Sequence, residues 1–189
     1  MSEPIKLVAF CGSLRKASFN RLALHAFTER LPAGVTVETI EIDWPLYSAD
    51  IQAQGFPAAV QAANQKVMAA DGVVFASPEY NYSVSGVLKN AIDWASRPYG
   101  DSAWNGKPAA IMGASIGAIG TARAQYHLRQ IMVFLNMFPI NQPEVMIGHA
   151  AERFDKDGNL TDETTKGFIR QLLTNLVAWT RRLQQPQPT

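Results

Sequence analysis

Gly72-Val73-Val74-Phe75-Ala76-Ser77 runs apolar until its last residue. A strand with one face in water alternates apolar and polar side chains, and this one does not. Both of its faces must be covered, as in the middle of a parallel sheet between two layers of helices. Ile5 to Phe10 and Ala109 to Ala114 read as two more such strands, each stopped by glycine or serine positions.

The segments between these runs carry helical spacing. Arg21 to Leu31 reads as a helix closed by Pro32 and Gly34, and Thr36 to Ile42 as a second strand. Trp44 to Gln54 reads as a loop. Pro57 suits a first helical turn, followed by Val60, Ala63 and Val67 to about Ala70. Ser85 is placed to cap a helix whose stripe is Val87, Leu88, Ala91, Ile92 and Ala95, ending before Pro98. A helix from about Thr121 to Asn136, a short strand Glu144 to Ile147 and a turn at Asp155 to Asn159 follow. Thr161 is expected to cap the last helix, with its stripe at Ile169, Leu172, Leu173, Leu176, Val177, Thr180 and Leu183.

Alternating strands and helices predict an α/β fold with a five-stranded parallel sheet and helices on both faces. Five strands suggest the flavodoxin-like order 2-1-3-4-5, counted along the chain. Ligands then sit at the carboxyl ends of the strands, beside the switch point between the first and third. That singles out three loops: Cys11 to Asn20, Ser77 to Ser85 and Ser115 to Gly120.

Composition narrows the function. A chain of 189 residues predicts one domain over 1–189, with the Gln/Pro tail from Gln184 to Thr189 flexible. With 47% apolar and 17% charged residues it is an ordinary globular chain. A net charge of +1 predicts neither a nucleic-acid nor an anionic-membrane partner. The single cysteine, Cys11, and the absence of metal-ligand spacing around His25, His127 and His149 predict no disulfide and no metal. The least charged apolar stretch, Gln130 to Pro143, is too short to span a bilayer, and Met1-Ser2-Glu3-Pro4 lacks a signal-peptide start. A cytoplasmic protein is expected. Met132, Val133, Phe134, Leu135, Met137 and Phe138 make the end of the fourth helix apolar all round, which predicts a subunit interface in a homodimer or homotetramer.

The first loop, Gly12-Ser13-Leu14-Arg15-Lys16-Ala17-Ser18-Phe19-Asn20, joins a strand to a helix. It is neither GxGxxG nor a P-loop. It offers two hydroxyls (Ser13, Ser18), an amide (Asn20), a guanidinium (Arg15) and a helix N-terminus, all donors to oxyanions. One Arg and a helix end of about +0.5 approach the roughly −1.5 to −2 charge of a phosphate monoester. A capped helix start beside a solvated Arg is the bland alternative. A phosphatase loop would need Cys-x5-Arg, but Ala17 stands six residues after Cys11 and Arg15 only four. Cys11 reads as a small buried residue.

The second loop, Ser77-Pro78-Glu79-Tyr80-Asn81-Tyr82-Ser83, sets two tyrosines and an amide at the mouth of the sheet, which suits a planar heteroaromatic ligand. The third contains Gly113-Ala114-Ser115-Ile116-Gly117, formally GxSxG. A hydrolase needs an acid and then a histidine after the serine. Here only Glu144 precedes His149, five residues before it, and no HGGG-type segment lies upstream. The glycines more simply let backbone approach a ring.

Pro78-Glu79-Tyr80-Asn81-Tyr82-Ser83-Val84-Ser85-Gly86-Val87-Leu88-Lys89-Asn90-Ala91-Ile92-Asp93-Trp94 resembles the signature of the bacterial NAD(P)H-dependent FMN reductases. The first loop is similar to their FMN phosphate loop, and Tyr126-His127-Leu128-Arg129-Gln130 resembles their quinone and chromate reductase branch. The likeness extends from Ile5 to Leu183. It implies a flavodoxin-like fold with bound FMN, reduced by NADH or NADPH in a ping-pong cycle. The implied acceptors are quinones and, less specifically, chromate, azo compounds or free flavin. By motif, Ser13, Arg15, Ser18 and Asn20 would hold the phosphate. Pro78, Glu79, Tyr80 and Asn81 would line the isoalloxazine, with Tyr82 beside its open face, and Ser115, Ile116 and Gly117 would close the other edge. No side chain is implied as acid, base or nucleophile. A flavodoxin-type electron carrier, which binds FMN without accepting hydride, is the alternative; such carriers are strongly acidic, and this chain is not.

Overall fold

A computed structural model describes residues 3–185. Its main sheet is parallel throughout. β1 (Ile5–Cys11) pairs with β2 (Val35–Ile40) on one side and β3 (Gly72–Ala76) on the other, and β3 pairs with β6 (Pro108–Ala114). The fifth place in the sheet is split between two short pieces. β7 (Phe138–Pro139) pairs with the start of β6 and β8 (Val145–Ile147) with its end. The sheet order is therefore β2-β1-β3-β6-β7, with β8 also on β6. This is the flavodoxin-like order expected, with β7 as an addition the sequence did not disclose.

Side-chain alternation divides the core in two. Leu7, Ala9 and Cys11 of β1, Val74 and Ala76 of β3 and Ala110 and Met112 of β6 point to one face. There they meet α1 (Phe19–Thr28) and α6 (Glu163–Gln184). Val8, Phe10, Val73, Phe75, Ala109 and Ile111 point to the other face. They meet α3 (Ala58–Ala69), α4 (Gly86–Ala95) and α5 (Ala122–Phe134). Every residue of β3 and β6 is buried, so both of these strands read as continuous apolar runs. Phe10, Phe75 and Trp104 form an aromatic cluster on the second face, with centroids 5.2–5.7 Å apart.

Three local expectations are corrected. Trp44 to Gln54 is not all loop: Ser48 caps a short α2 (Ala49–Gln54), which buries no residue and so left no apolar period to read. The last helix is capped by Asp162, whose carboxylate accepts from Thr165 N at 2.7 Å, while Thr161 Oγ1 donates to Arg153 O. Gln184, expected in the tail, is still helical and its amide donates to Asp71; 186–189 lie outside the described residues. The apolar end of α5 is covered on one side within the chain, which leaves an apolar side for the expected contact between subunits. Met132, Leu135 and Met137 are buried, whereas Val133 and Phe134 are 81% and 77% exposed.

Candidate functional site

The carboxyl ends of β1, β3 and β6 bring the three loops together. Gly12 joins the first to the second: its N–H donates to Ala76 O (2.8 Å) and its carbonyl accepts from the Ser85 hydroxyl (2.6 Å). A Cβ there would lie 2.9 Å from Pro78 Cδ and 3.0 Å from Ser85 Oγ, so a side chain would force the loops apart. Ser85 also caps α4, as expected from the sequence.

Beyond Gly12, Ser13 and Ser18 are buried and Arg15 is exposed. Ser18 caps α1, its Oγ accepting from Arg21 N at 3.4 Å, which leaves its hydroxyl hydrogen for another acceptor. The first-turn amides of α1 have no helical carbonyl to meet. With Ser13, Ser18 and Arg15 they make a set of donors suited to an oxyanion. Burial pushes the Cys11 thiol up, away from the thiolate a nucleophile needs.

Asn20 does something other than expected. Its Nδ2 donates to Ala114 O (2.9 Å) and its Oδ1 accepts from Ala114 N (2.8 Å). The amide straps the start of α1 to the end of β6. The hydrogen bonds therefore make Asn20 a tie between the first and third loops, a role the sequence did not disclose.

The second loop folds into a hairpin. Pro78 is buried beneath it; β4 (Glu79–Tyr80) pairs with β5 (Ser83–Val84) around Asn81 and Tyr82, with φ of 50° and 70°. Two left-handed residues make the tight turn that matches strand twist, a conformation easy for Asn and strained for Tyr. Something must hold Tyr82 there, and Arg123 does: its guanidinium lies over the Tyr82 ring, 3.7 Å from the centroid.

Arg123 is fixed in turn by Glu79. The Glu79 side chain is only 5% exposed. Its carboxylate accepts from Arg123 N (3.0 Å) and Ala124 N (3.1 Å) and pairs with the Arg123 guanidinium. The N-cap position of α5, Thr121, makes no side-chain cap bond, so Glu79 supplies the anion that a helix start favours. Its carboxylate thus caps a helix. A second tie runs from Ser83 Oγ to His127 Nδ1 at 2.9 Å. Arg123 was not singled out in the sequence, because 44 residues separate it from Glu79.

The third loop is shaped by a turn the sequence also left unread. Ser115 N donates to Ile147 O, His149 N to Gly117 O and Ala150 N to Ser115 O. The Ser115 hydroxyl accepts from Gly117 N at 3.2 Å. A Cβ at Gly113 would overlap the Thr121 side chain and the Ser77 carbonyl, and one at Gly148 would overlap the Ala118 carbonyl. Between the second and third loops lies a cavity of about 510 Å³, walled by Glu79, Asn81, Tyr82, Ser115, Ile119 and Arg123 among others. Gly117 lines it too; Tyr80 and Ile116 are exposed and do not. The volume lies within the range of roughly 300–1,000 Å³ usual for cofactor and small-molecule sites.

Comparison with known proteins identifies the family. The profile of the NADPH-dependent FMN reductases matches residues 5–152, which contain all three loops. The chain belongs to this family. It is similar to an NAD(P)H-dependent FMN reductase of Pseudomonas aeruginosa (51% identity, 97% of this chain and 100% of that one). It is also similar to a quinone reductase of Escherichia coli K12 (44% identity, 97% and 100%). Among solved structures, the flavoenzyme NAD(P)H:(acceptor) oxidoreductase FerB of Paracoccus denitrificans superposes with a TM-score of 0.87 (35% identity, 94% of this chain and 98% of that one). The chain is an oxidoreductase whose cofactor is FMN and whose reductant is NAD(P)H.

The residues of this reductase fit that cofactor. The donor set at the start of α1 suits a phosphate. The cavity beyond it presents an aromatic ring, an amide and glycine-bearing backbone, the chemistry that accepts a flat polar-edged ring.

Proposed function

We propose that this reductase passes electrons from NAD(P)H to quinones in a ping-pong cycle, with Ser13, Arg15, Ser18 and the first turn of α1 holding the FMN phosphate. Glu79, Asn81, Tyr82, Ser115 and Gly117, which wall the cavity, line the ring, and Pro78, Tyr80 and Ile116 belong to the same two loops. Bound FMN supplies the two-electron chemistry; the protein's part is to orient substrates and exclude water. The observation that carries this reading is the placement of a phosphate-type donor set and a 510 Å³ aromatic-walled cavity at one edge of the sheet. Similarity to a 2-hydroxy-1,4-benzoquinone reductase of Burkholderia (44% identity, 94% of this chain) and to the quinone reductases supports quinones as the acceptor class.

Anaerobic addition of NADPH to FMN-loaded protein tests it. Complete bleaching of the blue flavin absorption, reversed by one equivalent of quinone, is the expected result. Flavin that stays oxidised with both NADPH and NADH would favour a flavodoxin-type electron carrier and overturn the reading.

We also propose that the cytoplasmic protein is a homodimer or homotetramer, with the exposed Val133 and Phe134 at a contact between copies. No helix among the described residues is long and apolar enough to cross a membrane. Sedimentation equilibrium should give at least a dimer at micromolar concentration, and a strict monomer would refute the contact.

A further inference from the structure

Among the residues that line the 510 Å³ cavity, only Glu79 and Arg123 carry charge, and they carry opposite charges. They pair with each other. The Glu79 carboxylate also accepts from the second and third amides of α5, so it offsets the positive end of that helix as well. The Arg123 side chain is 36% exposed, and its guanidinium carbon lies over the Tyr82 ring, 3.7 Å from the centroid. The wall offered to an incoming molecule is therefore electrically balanced, with the positive charges held in check by one nearly buried carboxylate.

We infer that Glu79 and Arg123 determine acceptor charge: the pair selects flat uncharged acceptors over anionic ones, and Glu79 is the residue that keeps anions out. This rests on the quinone reductase reading and deepens it. Arg123 and the start of α5 are by themselves an anion site. Removing the Glu79 charge while keeping its shape uncovers them, so Glu79→Gln should turn the same wall toward anions. Arg123→Gln leaves the carboxylate uncompensated and should do the reverse. The double variant removes both charges and should restore the balance. Opposite signs from two neighbouring substitutions are what a charge mechanism demands; a loosened hairpin gives the same sign for both.

The test uses FMN-loaded protein and two probes of similar ring size, 2-methyl-1,4-naphthoquinone and 1,4-naphthoquinone-2-sulfonate. Their dissociation constants are measured by calorimetry on the oxidised protein without NADPH, and their kcat/KM values with NADPH. The readout is the ratio between the probes, from which any common loss of packing divides out. For Glu79→Gln the ratio should move toward the sulfonate by about tenfold at low ionic strength, and shrink severalfold in 0.5 M salt, roughly as screening requires. For Arg123→Gln it should move away from the sulfonate, and the double variant should return near the parent. An unchanged ratio in Glu79→Gln, or shifts of one sign in both single variants, would overturn the inference. If the calorimetric ratio shifts while NADPH drives no turnover of either quinone, the charge assignment stands and the reductase reading fails.

Discussion

The first loop and the hairpin sit side by side at the carboxyl edge of the sheet, yet they are built on opposite plans. In the first loop the groups that suit a ligand lie within eight residues of one another, from Ser13 to Asn20, and the helix they cap begins inside the same stretch. In the hairpin the decisive partner is remote. Glu79 and Tyr82 acquire their roles from Arg123, on a helix that follows another strand. A local site can be written into a short motif, because chain connectivity already places its parts. A site made by pairing across elements carries no such signature, because only the fold brings the partners together.

That contrast can be broken or sharpened by substitution. The largest effect is expected at Gly113, where the start of the second loop meets the start of α5. A Cβ would overlap Thr121 and the Ser77 carbonyl, neither of which is the free end of a flexible side chain. Gly113→Ala should cost about 3–5 kcal/mol and lower the Tm by roughly 10 °C or more in a thermal melt. An unchanged Tm would mean that the second and third loops are not packed as described.

Asn20 comes next. Asn20→Ala leaves the buried N–H and C=O of Ala114 without their partner. A loss of about 2–4 kcal/mol is expected in denaturant unfolding of the FMN-free protein. Arg15 should behave in the opposite way. It is exposed, so Arg15→Ala should leave the FMN-free Tm within about 1 °C, yet raise the FMN dissociation constant by roughly 10–100-fold through the lost charge-assisted contact. Flavin titration of both variants separates the strap from the ligand; a larger affinity loss in Asn20→Ala than in Arg15→Ala would exchange their roles.

The smallest effect belongs to a purely local device. Bonds from the Thr165 hydroxyl and N–H, and then the Arg153 charge, hold the Asp162 carboxyl below the usual carboxylate range. A depressed pKa adds stability that is fully present above the unfolded value of about 3.9 and is lost as pH falls through the lower folded value. Asp162→Ala should cost about 1 kcal/mol at pH 7. The gap from the parent protein should close below about pH 4 in parallel melts, and a gap that persists there would remove the ionised cap from the account.

Much of the fold was legible for one physical reason. The buried strands β3 and β6 have no solvent face, so burial wrote an unbroken apolar run into each. The devices that escaped notice are those with no burial to report: α2, which buries nothing, and β7, two residues long. The hairpin escaped because its turn carries Asn81-Tyr82, without the glycine that usually marks such a turn. Its strained tyrosine makes sense only once Arg123 lies over the ring.

By itself, then, the amino-acid sequence determined the order of the buried strands and their covering helices, the edge of the sheet that carries the site, and the chemistry of the loop at Ser13, Arg15 and Ser18. These follow from periodicity and from groups adjacent in the chain. Only the tertiary structure decided that Asn20 ties α1 to β6, that the Glu79 carboxylate caps α5, and that Arg123 completes the cavity wall. Each of these is a choice of partner across many residues, set by which backbone groups and charges the folded sheet leaves within a hydrogen bond's reach.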